Sequence, residues 1–275
     1  MAKSRAEAQP RGKQAGRATG ASRAKGEPRP AEEPVPLPIG GYHYWSRDPA
    51  VGLFAVLPLW LVYEGLRLTL APAERNGAEA MLIRELARLG PYGLMALRVA
   101  LGVAMFLAAR SLLTRDVPWL RVALVVALEG TVYGLLLGPT AAALTTSAER
   151  FLVVGNVGGT MVTNLVGSLG AGIFEELVFR LGLMSALVWL GLRAMRAWAL
   201  PPLLAAALVG CFAVVVSAVV FSWFHHLCGE PFDARRFLFR AVAGVLLGLL
   251  MWARGFGVCV YTHAFYDIHY YLTNS

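Results

Sequence analysis

Long apolar runs dominate this amino-acid sequence and constrain its fold more than any other feature. Between residues 50 and 272, several runs reach the roughly 20 residues that a helix needs to cross a bilayer. One soluble core cannot bury so many long apolar helices, whereas one membrane domain can. Hydrophobic residues make up 57% and charged residues 15% of the chain, against about 45–50% and about 25% in soluble domains. We therefore predict an all-α fold, a polytopic membrane helical bundle.

The apolar runs also predict how many helices cross the membrane and where they lie. Residues 73–90 form a shorter, amphipathic segment, which we interpret as an interfacial or partly inserted helix. The sequence predicts about seven transmembrane helices, or about eight if this segment also inserts. The predicted spans are about 50–71, 92–113, 119–143, 160–190, 199–224, 237–253 and 256–272.

Residues 1–38 differ from the rest of the chain, being rich in Ala, Gly, Pro, Arg and Lys without an apolar period. Because such a composition cannot build a packed core, we predict a disordered basic tail, followed by a transmembrane domain at 39–275. The tail holds all the lysines and contributes to the net charge of +8. Basic residues beside a membrane favour anionic lipid, so we expect membrane lipid rather than nucleic acid as a partner.

Residues near the span ends indicate the orientation of the chain. Every second turn carries arginines with few acidic residues, as cytoplasmic loops do. Aromatic residues before the first span are expected to anchor it at the bilayer interface. The arginines are Arg110, Arg115, Arg121, Arg193, Arg196 and Arg254, and the aromatic residues are Tyr42, Tyr44 and Trp45. We predict a multi-pass protein of a bacterial cytoplasmic membrane with its N-terminus inside.

Cysteines and glycines within the apolar runs are interpreted as packing residues. The three cysteines, Cys211, Cys228 and Cys259, show no CxxC spacing, so neither a disulfide framework nor a cysteine-ligated zinc site is predicted. Glycine pairs at four-residue spacing predict close helix contacts, since small residues let helices approach in lipid. These pairs are Gly134/Gly138, Gly155/Gly159 and Gly244/Gly248.

A few ionisable residues interrupt the predicted spans, where each costs at least about 2.5–3.5 kcal/mol near the bilayer centre. They fall in the fourth, fifth and seventh spans, and four of the five histidines are among them. They are Glu175, Glu176 and Arg180, then His225 and His226, then His263, Asp267 and His269. Such residues mark functional sites or buried ion pairs.

Helical spacing divides these residues into groups. Glu176 and Arg180 are four residues apart with the acid first, which is the favourable order for a structural ion pair. Glu175 is turned about 100° away from that face, so it lacks Arg180 as an easy partner. His263 and Asp267 share one face, as do Phe221 and His225. Three helices can thus direct two carboxylates and two imidazoles at one point.

A glutamate beside histidines is suited to activating water. The carboxylate accepts a proton from a water that attacks a carbonyl carbon, while neighbouring groups stabilise the oxyanion. The same residues can instead bind a divalent metal, and His, His, Glu and Asp form a plausible zinc ligand set. The residue types and spacing leave both mechanisms open.

Three short motifs carry a resemblance to a known family. They are EExxxR at Glu175, Glu176 and Arg180, FxxxH at Phe221 and His225, and a variant of HxxxN at His263 and Asp267. In this order within membrane helices, over about 160–272, the sequence resembles the CPBP (CAAX protease/Abi, Rce1-like) family of intramembrane proteases. The resemblance implies an endopeptidase acting on a peptide or protein substrate, lipidated in some members.

The resemblance also implies roles for the motif residues. Glu175 and His225 would activate the water, His263 and residue 267 would form the oxyanion site, and Glu176, Arg180 and Phe221 would support them. Asp267 departs from the family pattern, in which Asn is common. An ionised Asp267 donates no hydrogen bond, so it must be protonated, orient His263 or bind a metal. We therefore expect either no cofactor or zinc, held by Glu175, His225, His263 and Asp267.

Other interpretations remain open at this level. The same fold can serve a non-catalytic binding or immunity protein, and membrane carboxylates and histidines can form the relay of an ion-coupled transporter. No inverted repeat supports the transporter. The remaining polar residues of the spans are interpreted as helix-pairing or interfacial groups. They are His226, His269, Glu64 and Glu129, each with Arg67 or Arg98 as a partner, and Tyr261, Tyr266, Tyr270 and Tyr271.

Overall fold

The computed structural model describes residues 41–69, 77–88, 90, 92–115, 117–145, 160–198, 200–227 and 230–274. The regular structure in these residues is helical throughout, which confirms the all-α prediction. Its helices are α1 (Gly41–Ser46), α2 (Pro49–Arg67), α3 (Gly77–Ala87), α4 (Gly93–Thr114), α5 (Trp119–Thr145), α6 (Met161–Trp198), α7 (Pro202–Leu227), α8 (Ala234–Arg254) and α9 (Phe256–Asn274). The predicted tail at 1–38, the Gly155/Gly159 pair and Cys228 lie outside the described residues.

Five of these helices, α2, α5, α6, α7 and α8, are long and apolar enough to cross a membrane. In α4 the apolar stretch is shorter, at Val99–Thr114, and α9 is not among the five. Outward-facing side chains such as Leu128 and Leu203 are 67% and 84% exposed, as lipid contact requires. The chain is an integral membrane protein. All seven apolar runs form helices, while the count of seven or eight spans stays a prediction.

Helix α9 lies at the centre of the bundle and packs against α2, α5, α6 and α8. Every residue from Phe256 to Ala264 is buried, so protein surrounds α9 on all sides over this stretch. This explains its polar composition, because its polar side chains meet other helices instead of lipid.

Glycines allow α5 to approach α9 closely and α8 to approach α7 closely. A Cβ atom at Gly134 of α5 would lie 2.8 Å from the carbonyl oxygen of Thr262, and one at Gly130 would lie 2.4 Å from Cβ of Tyr261. Gly244 and Gly248 of α8 lie in the same way against α7. Gly134 and the Gly244/Gly248 pair are thus confirmed as helix-contact residues.

A polar contact fixes the start of α2. The carboxylate of Asp48 accepts hydrogen bonds from the backbone N–H groups of Ala50 and Val51, at 2.9 and 3.2 Å, and so caps the helix. The guanidinium of Arg115, at the end of α4, donates to the same carboxylate at 2.6 Å. This bond holds the pKa of Asp48 below its usual value and ties α2 to α4.

The arginine at the turn between α8 and α9 is buried. Arg254 ends α8, at the turn that the sequence predicts, is 7% exposed and donates two hydrogen bonds of 2.6 Å to Glu129 of α5. Tyr42 of α1 donates to the same carboxylate. Glu129 therefore pairs with Arg254, and Glu64 pairs with Arg67, at 2.5 Å. The side chain of Arg98 lies outside the described part of the structure. The Glu129 contacts join α1 and the α8–α9 corner to α5.

Candidate active site

The middle of α6, Ala171–Met184, is a π-helix with wider turns than the α-helix predicted for it. Such turns are rare and frequently occur at functional sites. A Cβ atom at Gly172 would lie 2.7 Å from Cβ of Ala264 in α9, so only glycine permits this approach. The side chain of Ser217 in α7 donates to the carbonyl of Phe179 at 2.7 Å. The segment therefore presents Glu175 and Glu176 to both α7 and α9.

Glu176 is fully buried and links three side chains. Its Oε1 atom accepts hydrogen bonds from Nη1 of Arg180 at 2.7 Å and from Nδ1 of His263 at 2.6 Å. Its Oε2 atom accepts one from Sγ of Cys259 at 2.9 Å. The predicted Glu176–Arg180 pair is confirmed. Since an ionised carboxylate only accepts, the proton in the bond to His263 comes from Nδ1, which leaves Nε2 facing away from Glu176.

Glu175 lies between the two imidazoles that the motifs predicted. Its Oε2 atom is 3.8 Å from Nε2 of His225 and 3.9 Å from Nε2 of His263. The Glu175 side chain is 6% exposed. These separations exceed a direct hydrogen bond. The structure thus brings a carboxylate and two imidazoles from α6, α7 and α9 together.

Phe221 arranges the site on its α7 side. Its backbone carbonyl lies 3.0 Å from Nδ1 of His225, so in a neutral imidazole Nδ1 donates and Nε2 keeps its lone pair toward Glu175. The ring of Phe221 lies edge-on to His225 and His263, at centroid distances of 5.0 and 5.9 Å. The guanidinium of Arg180 lies 4.2 Å from the centroid of the same ring. Phe221 and Arg180 therefore form one wall of the site.

Asp267 occupies the more open side of this group. Its Oδ2 atom is 3.8 Å from Nε2 of His263, and its side chain is 20% exposed, compared with 7% for His263. Nε2 of His263 therefore lies at similar distances from two carboxylates, 3.9 Å from that of Glu175 and 3.8 Å from that of Asp267.

The ligand atoms of the predicted zinc site lie farther apart than a tetrahedral zinc ion would hold them. The measured ligand-atom separations among Glu175, His225, His263 and Asp267 are 3.8, 3.9 and 3.8 Å. A tetrahedral zinc ion with bonds of about 2.1 Å holds its ligand atoms about 3.4 Å apart. In the part of the chain that the structure describes, no group of three or more His, Cys, Asp or Glu residues is spaced to hold a metal ion. The residues as placed do not fit zinc.

Several polar residues outside the motifs serve other contacts. The ring of His226 lies among those of Trp223, Phe232 and Phe237, which agrees with the structural role expected for it. The hydroxyl of Tyr261 donates to the carbonyl of Ala55 at 3.0 Å and so joins α9 to α2.

Two residues near the site were missed in the sequence. Cys259, interpreted as a packing residue, donates to Glu176 and also to the carbonyl of Leu247 at 3.2 Å. Arg240 of α8 is 3% exposed and pairs with Glu230. A buried thiol gives no sequence signal, but an arginine inside the predicted sixth span could have been noticed.

Comparison with protein families identifies the segment that carries this geometry. Residues 157–269 match the family model described as "Type II CAAX prenyl endopeptidase Rce1-like". This match agrees with the resemblance to the CAAX protease (CPBP) family that the three motifs carry. Comparison with curated proteins and with solved structures gave no match. The matched segment runs into α9 and contains every residue of the three motifs.

Proposed function

We propose that the chain is an intramembrane endopeptidase that hydrolyses peptide bonds with a water molecule activated by Glu175. The observation that carries this proposal is the position of Oε2 of Glu175, 3.8 and 3.9 Å from two imidazole nitrogens inside a bundle of membrane helices. The match of residues 157–269 to the CAAX prenyl endopeptidase family model supports it.

In the proposed reaction, a water molecule lies between Glu175 and His225 and donates a hydrogen bond to each. Glu175 takes a proton from this water as its oxygen attacks the carbonyl carbon of the scissile bond. Nε2 of His263, carrying a proton, donates to the oxyanion that develops. When the carbon–nitrogen bond breaks, Glu175 returns the proton to the departing amine, so the products are a carboxylic acid and an amine.

The surrounding residues hold the reacting groups in place. Glu176 fixes His263 through Nδ1, while Arg180 and Cys259 fix Glu176. We assign Asp267, whose Oδ2 atom is 3.8 Å from Nε2 of His263, the role of orienting this imidazole. The family suggests a peptide or protein substrate that reaches the site within the membrane, with lipidated proteins as one class.

The experiment uses the full chain in lipid nanodiscs with a peptide library read by mass spectrometry. We expect Glu175→Gln to reduce kcat at least about 100-fold, the lower range for loss of a general base. Glu64→Gln, whose partner is Arg67 outside the site, is the control and should retain cleavage. Cleavage at the wild-type rate by Glu175→Gln, with an unchanged unfolding temperature, would contradict the proposal.

Metal dependence is tested on the same preparation. Because the residues do not fit a zinc ion as placed, we expect cleavage to persist after chelation and metal analysis to find less than one equivalent. Loss of cleavage on chelation with recovery on adding zinc would instead support a metal-dependent mechanism, with His225 and His263 moving inward.

A further inference from the structure

Arg240 is a buried cation with part of its hydrogen-bonding capacity unused. Its side chain is 3% exposed, and Nη2 binds the carboxylate of Glu230 at 2.7 and 3.0 Å. Within the described residues, its Nε and Nη1 atoms are buried and make no hydrogen bond. Buried guanidinium donors without partners are energetically costly, so their presence calls for a group that binds there.

The packing of α7 against α8 places Arg240 near His225. A Cβ atom at Gly244 would lie 3.0 Å from Ala218 and 3.2 Å from the ring of Phe221. Arg240 lies one turn before Gly244, and His225 lies one turn after Phe221. Since the two helices run in opposite directions, Arg240 and His225 lie at the same level of the pair.

The packing of α8 against α9 places Arg240 near Asp267 as well. The thiol of Cys259 contacts the carbonyl of Leu247, and the rings of Phe239 and Tyr266 are 6.5 Å apart. These contacts set the antiparallel register, which brings Arg240 level with Tyr266 and its neighbour Asp267. The guanidinium is close enough to interact electrostatically with both His225 and Asp267.

The carboxylates near Arg240 are more exposed than the groups proposed to react. The side chain of Glu175 is 6% exposed and that of His263 is 7%, whereas Asp267 is 20% and Glu230 is 29% exposed. Arg240, itself 3% exposed, therefore lies beside the two more exposed carboxylates of this group, Asp267 and Glu230.

We propose that Arg240 binds a carboxylate of the peptide substrate and so selects substrates with a negative charge near the scissile bond. This inference rests on the proposed function. A guanidinium suits this role because it stays charged and offers several donors in one plane to the two oxygens of a carboxylate. The carboxylate comes either from a free C-terminus or from an Asp or Glu side chain, and the two sources are separated by experiment.

The test compares three forms of one cleaved peptide: with a free C-terminal carboxylate, with a C-terminal amide, and with the amide plus one acidic side chain near the scissile bond. We expect wild-type protein to cleave one charged form about 10- to 100-fold better than the neutral amide, mainly through KM, since Arg240 does not touch the reacting atoms. The preferred form identifies the source of the carboxylate.

Variants assign this preference to Arg240. Arg240→Gln should cleave the charged and neutral peptides at rates that no longer differ, whereas Arg235→Gln, at an exposed position of the same helix, should keep the preference. Equal rates for charged and neutral peptides in wild type, or an unchanged preference in Arg240→Gln, would overturn the inference. If Arg240→Gln does not fold, the double variant Glu230→Gln/Arg240→Gln removes both charges and is measured in its place.

Binding measurements separate this inference from the proposed function. The same peptides are titrated against Glu175→Gln and against Glu175→Gln/Arg240→Gln, neither of which needs to cleave. A charge preference that disappears with Arg240 supports the carboxylate site even when no peptide is hydrolysed. Equal affinity for charged and neutral peptides in Glu175→Gln overturns it even when wild-type protein is an active protease.

Discussion

Glu175 and Glu176 are adjacent in the chain but have different surroundings. Glu176 accepts hydrogen bonds from Arg180, His263 and Cys259, so its oxygens are committed to holding other side chains. The Oε2 atom of Glu175 instead faces two imidazole nitrogens across distances that leave room for a small molecule. Glu176 therefore has the structural contacts, and Glu175 is the carboxylate that we propose as the general base.

The Glu176–Arg180 pair gives a prediction about stability. Arg180→Gln removes the guanidinium that lies 2.7 Å from the carboxylate of Glu176 and leaves this carboxylate fully buried. We therefore expect the free energy of unfolding to fall by about 3–5 kcal/mol. Denaturant unfolding in mixed micelles measures this loss. Arg67→Gln, which breaks the more exposed pair with Glu64, should reduce stability by about 1 kcal/mol or less. Equal losses in the two variants would contradict the prediction.

At the residue scale, sequence spacing predicted contacts within a helix better than contacts between helices. The Glu176–Arg180 pair and the shared faces of Phe221/His225 and His263/Asp267 follow from helical periodicity, because residues four apart are neighbours in any helix. The thiol of Cys259 and the guanidinium of Arg240 reach the site only through packing between helices, which periodicity does not describe.

Within α6, the π-helical segment turns the two glutamates toward different neighbours. Gly172 allows this segment to touch α9, with 2.7 Å between a Cβ at this position and Cβ of Ala264. The contact lies one turn before Glu175 and Glu176, so the distance between α6 and α9 sets the distance from these carboxylates to His263.

Two glycines of α6 provide a matched test of this contact. Gly172→Ala should push α6 away from α9, and a displacement of about 1 Å reduces kcat/KM by about 100-fold. Gly167→Ala, where a Cβ meets nothing within 4 Å, should leave activity unchanged and stabilise the helix by up to about 1 kcal/mol. Peptide cleavage and thermal unfolding of both variants measure these effects. Full activity of Gly172→Ala would show that the helices can adjust.

At the element scale, the positions of the apolar runs predicted helices well, and helix type was predicted poorly. Each of the seven runs forms a helix, because length and hydrophobicity suffice to identify one. The π-helix at Ala171–Met184 was not predicted, since apolar residues on most sides of a membrane helix leave no periodic signal that distinguishes wide turns from ordinary ones. The location of α3, at Gly77–Ala87, agrees with the amphipathic segment predicted at 73–90.

For the whole molecule, orientation in the membrane depends on the arginines near the span ends. Arg254 no longer contributes to this argument, because it is buried against Glu129. Arg110 and Arg121 flank the turn between α4 and α5 and are exposed, so the predicted cytoplasmic location of this turn retains its basis.

Reporter fusions at the two termini test both the orientation and the number of spans. With about seven spans and the N-terminus inside, we expect a fluorescent protein to report from the cytoplasm at the N-terminus and alkaline phosphatase to be active at the C-terminus. An even number of spans, as with an inserted 73–90 segment, would place both termini on one side. A cytoplasmic C-terminus would therefore contradict the seven-span prediction.

Composition alone predicted the membrane location, since no soluble fold accommodates so much apolar surface. The substrate was not predictable in the same way, because the surroundings of a group such as Arg240 arise only when three helices assemble.

The position of Cys259 offers a way to follow motion of the bundle. Its sulfur is enclosed by α6, α8 and α9 beside Glu176, whereas Cys211 is exposed. Alkylating reagents will modify Cys211 directly, but they reach Cys259 only when the helices around the two glutamates separate. The alkylation rate at Cys259 thus measures how often the centre of the protein opens, with no need for an introduced label.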